Sequence, residues 1–444
     1  MADIAPFSAL HFDSGSVGGL ENVVTQPYDK ITPEMQDLYY TLSQHSLARI
    51  IRRRLEASDT DDDPYAAAAA DFRRWIERGI LVRDAVPALY PYEQEYGLPG
   101  QPSIRKRRGG FIGLCRLEDY SAQVVHRHEE TLSGPKSDRL ALLRATRAHF
   151  GQIFLLYSDP EGTVERKLAA VTGAAAPWER VDDEYGSRHE VWRVAAAPAI
   201  ERIRGLMRDQ KLVIADGHHR YETALAYRDQ RRSSGSLDPA AEWVMATFVR
   251  METDGLLILP THRVVHGLND FDWEHFLASA REFFVVEEWP GAAAGRDPAR
   301  LERQLLQASR RGPAFVACAR PDRAALLALR KDVDTRSALG GAPPELARVD
   351  VFLLHGLLIE RALGISREAV CEETHLHYER SVEAAVRAVD EGKADVCFLV
   401  NPTPIEAVRD NALAGQVMPQ KSTDFYPKLL SGLTIYDLDG PRET

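Results

Sequence analysis

No apolar run in this 444-residue chain approaches the ~20 residues that a membrane-spanning helix needs, so no membrane span is expected. The opening stretch MADIAPFSALHFDSG sets no basic segment before an apolar one, and no secretory signal is expected there. Cysteine is scarce. Cys115, Cys318, Cys371 and Cys397 are scattered, with no CxxC pair and no rhythm of a secreted disulfide framework. They read as buried thiols of a reducing compartment, and a cytoplasmic location is the expectation. Basic charge is in deficit too: 55 Lys and Arg stand against 66 Asp and Glu, a net −11. That balance argues against nucleic acid as the main partner, because a basic field supplies most non-specific affinity. Internal repeats are also missing.

What remains is an ordinary globular composition, 44% hydrophobic and 27% charged. Its length calls for two or three domains. Three regions are expected: an N-terminal α+β region over 1–104, a mixed core over 105–268, and a C-terminal α/β domain over 269–444. In the first, the acidic turn SDTDDDP (58–64) leads into a helix. Asp63 would cap it, Pro64 would occupy its first turn, Phe72, Trp75 and Ile76 would line its buried stripe, and Gly79 would close it. Two basic clusters read as solvated: Arg52 to Arg54 on a helix face, and Arg105 to Arg108 in a Gly/Pro-rich loop over 97–110. In the third, Val382, Ala385, Val386 and Val389 share a helix face stopped by Gly392, and a buried strand ADVCFLV (394–400) comes next.

The most informative stretch is ADGHHRYETAL (215–225). Leu212, Val213 and Ile214 read as a buried strand, and a helical pattern succeeds it, so Asp216, His218, His219 and Arg220 fall on the turn between them. Gly217 permits a sharp bend and close backbone approach to a ligand. Helix N-terminal N–H groups favour an anion. Two imidazoles and a guanidinium complete a phosphate cradle, while Asp216 could hold a divalent cation or orient a proton.

Upstream, HEETLSGPK (128–136) comes after a strand-like segment. Glu129 is placed to act as a general base, and Lys136 leads into a helix carrying Arg139 and Arg144. LPTHR adds Thr261, His262 and Arg263 after another strand, as candidate substrate contacts. His375 and His377 in THLHY would share a strand face, a ligand pair lacking a third partner. In MPQKSTDFYPKLLSGL (418–433), Lys421, Ser422, Thr423 and Lys428 could close over phosphates. Docking of Phe425 and Tyr426 on a core is the simpler reading, since no glycine-rich cradle makes this a P-loop.

The DGHHRY turn with HEET upstream resembles the ParB/sulfiredoxin superfamily, and most closely its free-serine kinase branch. That resemblance implies an α+β ParB/sulfiredoxin-like core with Glu129 as base and Asp216 as second catalytic or metal-positioning acid. Gly217, His218, His219, Arg220 and Lys136 would bind the nucleotide phosphates. A turn cysteine needed for sulfiredoxin chemistry is replaced by His218, and no ParB-type helix-turn-helix is recognisable. Nearly end to end, the chain resembles domain-of-unknown-function family 1015, through PFSAL, VVTQPYDKIT, HEETLSGPKSDRL, DGHHRYETAL, LLILPTHR and MPQKSTDFYPKLLSGL.

The expected function is a nucleotide-dependent phosphotransferase for a small hydroxylated metabolite, with free L-serine giving O-phosphoserine as its specific form. ATP or ADP would be the donor and Mg²⁺ would accompany it. The expectation requires that Glu129 and the 216–220 turn face one pocket. Two alternatives stay open: a ParB-like nucleotide switch without catalysis, and a metal-dependent phosphoester hydrolase using His218 or His219 with Glu222, or His375 with His377.

Overall fold

The computed structural model describes residues 1–54, 63–131, 133–173, 175–235, 238–289, 297–320 and 322–440, with backbone only at 133–135. Most of the expected acidic turn, residues 58–62, lies outside them. The chain forms two compact units. One comprises Met1–Arg127, Leu132–Leu257 and Pro427–Thr444; the other comprises His128–Thr131 and Ile258–Tyr426. Residues 1–104 are not a region of their own, as the sequence suggested: they share a unit and a sheet with strands further along the chain. Ile4–Ala5 pairs with Gln101–Arg116, which also pairs with Tyr90–Leu98.

The first unit is built on a nine-stranded mixed sheet. Its main path runs Val125–His126, Leu212–Asp216, Ile153–Tyr157, Trp243–Arg250, Gln101–Arg116, Tyr90–Leu98, Arg188–Val191 and Glu179–Asp182. Two pairings are parallel, Leu212–Asp216 with Val125–His126 and Trp243–Arg250 with Ile153–Tyr157. The central strands read as unbroken apolar runs because both faces are covered. Ile214, Leu155 and Phe248 are fully buried in one cluster. It also takes Val164, Ile203, Met207, Tyr221 and Ala224 from the helices Thr163–Thr172, Ala197–Met207 and His218–Ser233.

The expected Gly/Pro loop over 97–110 is instead a hairpin, turning at Pro99 and Gly100 between Tyr90–Leu98 and Gln101–Arg116. Strand alternation sorts its basic residues. Arg105 and Arg107 point to solvent and pair with Glu95, whereas Arg108 is 1% exposed and bonds Gln94 Oε1 at 3.0 Å. The charges hid the period-2 pattern. Arg53 also departs from the solvated reading, being buried against Asp71. The helix Pro64–Glu77 begins as expected, with the Asp63 carboxylate accepting the Tyr65 N–H and Pro64 in the first turn.

The second unit carries a six-stranded sheet. Its order is Phe284–Glu288, Arg323–Leu329, Ala314–Ala319, Val396–Leu399, His262–Val265 and Leu376–Glu379, antiparallel throughout. Each face buries its own core. Val265, Phe315 and Phe398 pack with the helix Trp273–Ala280 and a π-helix, Leu354–Ala362. Val264, Val316 and Leu399 pack with Pro298–Ser309 and Val382–Asp390. The latter helix buries Val382, Ala385, Val386 and Val389, the stripe expected from its spacing. Each of the three valines contributes roughly 1.5–3 kcal/mol. Cys115, Cys318 and Cys397 are buried; Cys371 is half-buried, a departure from the expectation of four buried thiols.

Candidate functional site

In the first unit, the strand Leu212–Asp216 runs into Gly217, whose φ of +92° is a conformation that favours glycine, and the helix His218–Ser233 begins at once. Asp216 is the centre of a charged cluster. Its Oδ1 accepts a hydrogen bond from Lys428 Nζ at 2.8 Å and its Oδ2 one from Arg220 Nη2 at 2.7 Å. Burial alone would raise its carboxyl. Lys428 first, then Arg220, with Lys30 adding to them, hold it far below the usual carboxylate range. Asp216 is therefore ionised throughout neutral and mildly acid pH, and three cations surround it.

Two of these cations, Arg220 and Lys428, are held by further contacts. Arg220 Nη1 donates to the Gln152 carbonyl at 2.5 Å. Lys428 projects from a segment pinned to the sheet: Gln94 Nε2 donates to its carbonyl at 2.9 Å, and buried Arg108 donates to the carbonyl of Pro427. Burial lowers Arg108 to about 10, which leaves it charged at neutral pH. Lys136 reaches the helix of this turn through Glu222, at 2.7 Å, and Arg127 approaches the same carboxylate at 3.4 Å. His218 is 7% exposed and His219 is half-buried on the first helical turn.

Beside Arg220 lies a cavity of about 60 Å³, lined among others by Tyr28, Arg139, Gly151, Thr223 and Ser431. A second cavity of about 340 Å³ shares Tyr28 and Arg139 and adds Arg52, Arg53, Tyr65 and Asp138. Its volume lies within the ~300–1,000 Å³ common for small-molecule sites. Arg139 covers one face of the Tyr28 ring at 4.1 Å. Burial, then Asp29, push the Tyr28 hydroxyl up to about 12, so it stays a neutral donor.

Glu129 belongs to the second unit. Its Oε1 accepts the Lys421 N–H at 2.9 Å, and His128 beside it contacts Thr423 Oγ1 at 2.9 Å. Arg263 joins the same cluster. Fully buried, it donates to the carbonyls of Thr261 and of Lys421, the latter at 3.0 Å, and to His355 Nε2 at 3.2 Å. Three segments singled out in the sequence, HEET, PTHR and QKST, thus converge within this unit. His262 does not join them, because alternation turns it to the opposite face of its strand. There its Nδ1 accepts the Val400 N–H at 3.3 Å.

Sequence reasoning missed Lys30 and Tyr28, named Arg139 only as one basic residue of the helix after Lys136, and ranked Lys428 below docking of its segment. For Lys30 and Lys428 the one hint was a basic residue within QPYDKIT or YPKLL. Phe425 docks as expected, at 1% exposure. His375 Nδ1 contacts the His266 carbonyl at 3.2 Å and His377 is half-exposed. Among the described residues no three His, Cys, Asp or Glu side chains gather as a metal site, and no helix is long and apolar enough to cross a membrane.

The family model described as "Protein of unknown function (DUF1015)" matches residues 4–352. The chain is a DUF1015 protein. No curated protein matches it. Among solved structures, this DUF1015 protein is similar to a conserved hypothetical protein from Pyrococcus furiosus, at 12% identity and a TM-score of 0.37, over 74% of this chain and 96% of that one. It is also similar to a free serine kinase in complex with AMP, at 14% identity and a TM-score of 0.35, covering 72% and 92%. A third is SbnI with C-terminal truncation from Staphylococcus aureus, at 11% identity and a TM-score of 0.36, covering 75% and 90%.

Proposed function

We propose that this DUF1015 protein is a nucleotide-dependent phosphotransferase acting on a small hydroxylated metabolite. The observation that carries the reading is the 216–220 turn. A glycine bend at a strand's end opens a helix N-terminus, and Lys30, Arg220 and Lys428 outnumber the single carboxylate they surround. Such a turn favours a polyanion over any neutral ligand. The larger of the two cavities that share Tyr28 and Arg139, about 340 Å³, has a volume in the range of small-molecule sites. In this reading Gly217, His218, His219, Arg220 and Lys136 bind phosphates and Glu129 takes the acceptor proton. Free L-serine is the specific acceptor favoured by the motif resemblance, and ATP or ADP is the donor.

The donor set suits magnesium carried by the nucleotide rather than a protein-built cage. Both oxygens of Asp216, the one ionised carboxylate at the turn, are engaged by Lys428 and Arg220, so phosphate oxygens and water would supply most of the ion's ligands. When bound, the ion would neutralise phosphate charge; Lys428 and Arg220 do the same from the protein side.

The test is ³¹P NMR of the full-length protein with magnesium, ATP or ADP, and a panel of hydroxy compounds including L-serine. A new phosphomonoester resonance is expected with at least one pair. Absence of transfer with every pair, together with no measurable nucleotide binding by calorimetry, overturns the reading.

A further inference from the structure

Of the six buried polar side-chain atoms in the second unit that have no hydrogen-bond partner among the described residues, two belong to one neighbourhood: Tyr378 Oη and Gln420 Oε1. Tyr378 stands directly across the strand pair from Arg263, whose guanidinium carbon lies 5.3 Å from its ring centroid. Gln420 precedes Lys421, whose carbonyl holds Arg263 and whose N–H holds Glu129. The Gln420 amide is oriented by its own contact: Nε2 donates to Glu373 Oε1 at 3.3 Å, so the amide oxygen is the atom left over. Leaving a buried donor or acceptor unserved is costly, and such atoms mark places where something polar is accommodated.

The surrounding backbone is unusual as well. His355, which accepts from Arg263, sits on the nine-residue π-helix Leu354–Ala362. π-helical turns are rare and concentrate at functional sites. Arg263, fully buried, has the Glu129 charge as its carboxylate influence, and Glu129 acts on Tyr378 too.

We propose that Tyr378, Gln420 and Glu129, set on the Arg263 platform, form a binding site for a small hydroxyl-bearing metabolite. The chemistry follows from the atoms. Burial pushes the Tyr378 hydroxyl up to about 12, which keeps it a donor, while Gln420 Oε1 and Glu129 Oε2 only accept. A ligand must therefore accept one hydrogen bond and donate another, which a single hydroxyl does. A bare carboxylate or phosphate, accepting only, would leave Gln420 unserved and face Glu129. The ligand's role as phosphoryl acceptor rests on the transfer reading above; its chemistry rests on these side chains.

The experiment uses the full-length protein without nucleotide. Saturation-transfer NMR is recorded with L-serine against L-alanine, and with ethanolamine against ethylamine, pairs that differ by the hydroxyl. Binding is expected for at least one hydroxylated member and not for its partner. Tyr378→Phe and Gln420→Leu should each weaken it about tenfold, with ADP affinity unchanged in both. Equal signals within both pairs, no signal at all, or unchanged affinity in Tyr378→Phe overturns the site, the last outcome meaning that water alone serves these atoms. Hydroxyl-selective binding without any ADP binding would instead retain this site and remove the nucleotide reading.

Discussion

Lys428 and Asp216 are ion-paired at 2.8 Å although 212 positions separate them in sequence. The pair ties the C-terminal segment to the strand end that carries the candidate phosphate turn. Lys428→Met should cost about 2 kcal/mol of stability, the worth of a hydrogen bond to a charged group. It should also weaken ADP binding more than tenfold, by removing one of three cations. Chemical denaturation and calorimetry on the same variant check the two effects separately.

The same pair makes an acid-side prediction. The Asp216 carboxyl is depressed in the folded state, so its contribution is fully present above the unfolded value of 3.8 and drains away as pH falls below it. Asp216→Asn should therefore be less stable than wild type at pH 7, and the difference should narrow on descending from pH 5 to pH 2. A constant gap across that window would show that the ion pair is not its source.

Gly217 tests the turn by geometry alone. A Cβ there would stand 3.1–3.2 Å from the Arg220 guanidinium, at a φ of +92°. Gly217→Ala should cost about 1–2 kcal/mol from the backbone. It should also displace Arg220 from Asp216, lowering ADP affinity. A variant of wild-type affinity would mean that Arg220 does not contribute to the anion site.

How much of the fold and the site was legible in the sequence depends on contact distance along the chain. The strand, Gly217 and the helix from His218 are local, and their apolar run, glycine and period announce them. The stripe Val382, Ala385, Val386 and Val389 is local in the same way. Lys428 and Lys30 acquire meaning only through a partner far away in sequence, and nothing around them in YPKLL or YDKIT differs from a solvated surface. Alternation defeats a second kind of reading: His262 and Arg263 look like one polar cluster in PTHR, yet a strand sends them to opposite faces. Gln101–Arg116 fails for a third reason, since Arg108 is a buried arginine satisfied by Gln94 and Pro427 and so breaks the apolar code of its strand.

Glu129 offers a separation of binding from chemistry. Glu129→Gln keeps an oxygen for the Lys421 N–H and removes the proton acceptor. Transfer should fall by roughly 10²–10⁴, the usual worth of a general base, while ADP affinity and melting temperature hold. A loss of folding instead would assign Glu129 to anchoring the Lys421 loop.

His262 was expected to contact substrate, and its surroundings give it a different testable part. It is 2% exposed, and burial, then the neighbouring Arg263, push it down to about 4 from an ordinary 6.5. A neutral ring is what accepts the Val400 N–H. Because the folded value is depressed, the unfolded chain takes up a proton first as pH falls through 6.5, and the folded state loses stability until about 4. His262→Asn supplies an acceptor in the place of Nδ1 but does not titrate. Its stability should be flatter than wild type between pH 6.5 and pH 4, with transfer kinetics at pH 8 unaltered. A rise in KM for the acceptor at pH 8, with an unchanged stability profile, would return His262 to the substrate contacts.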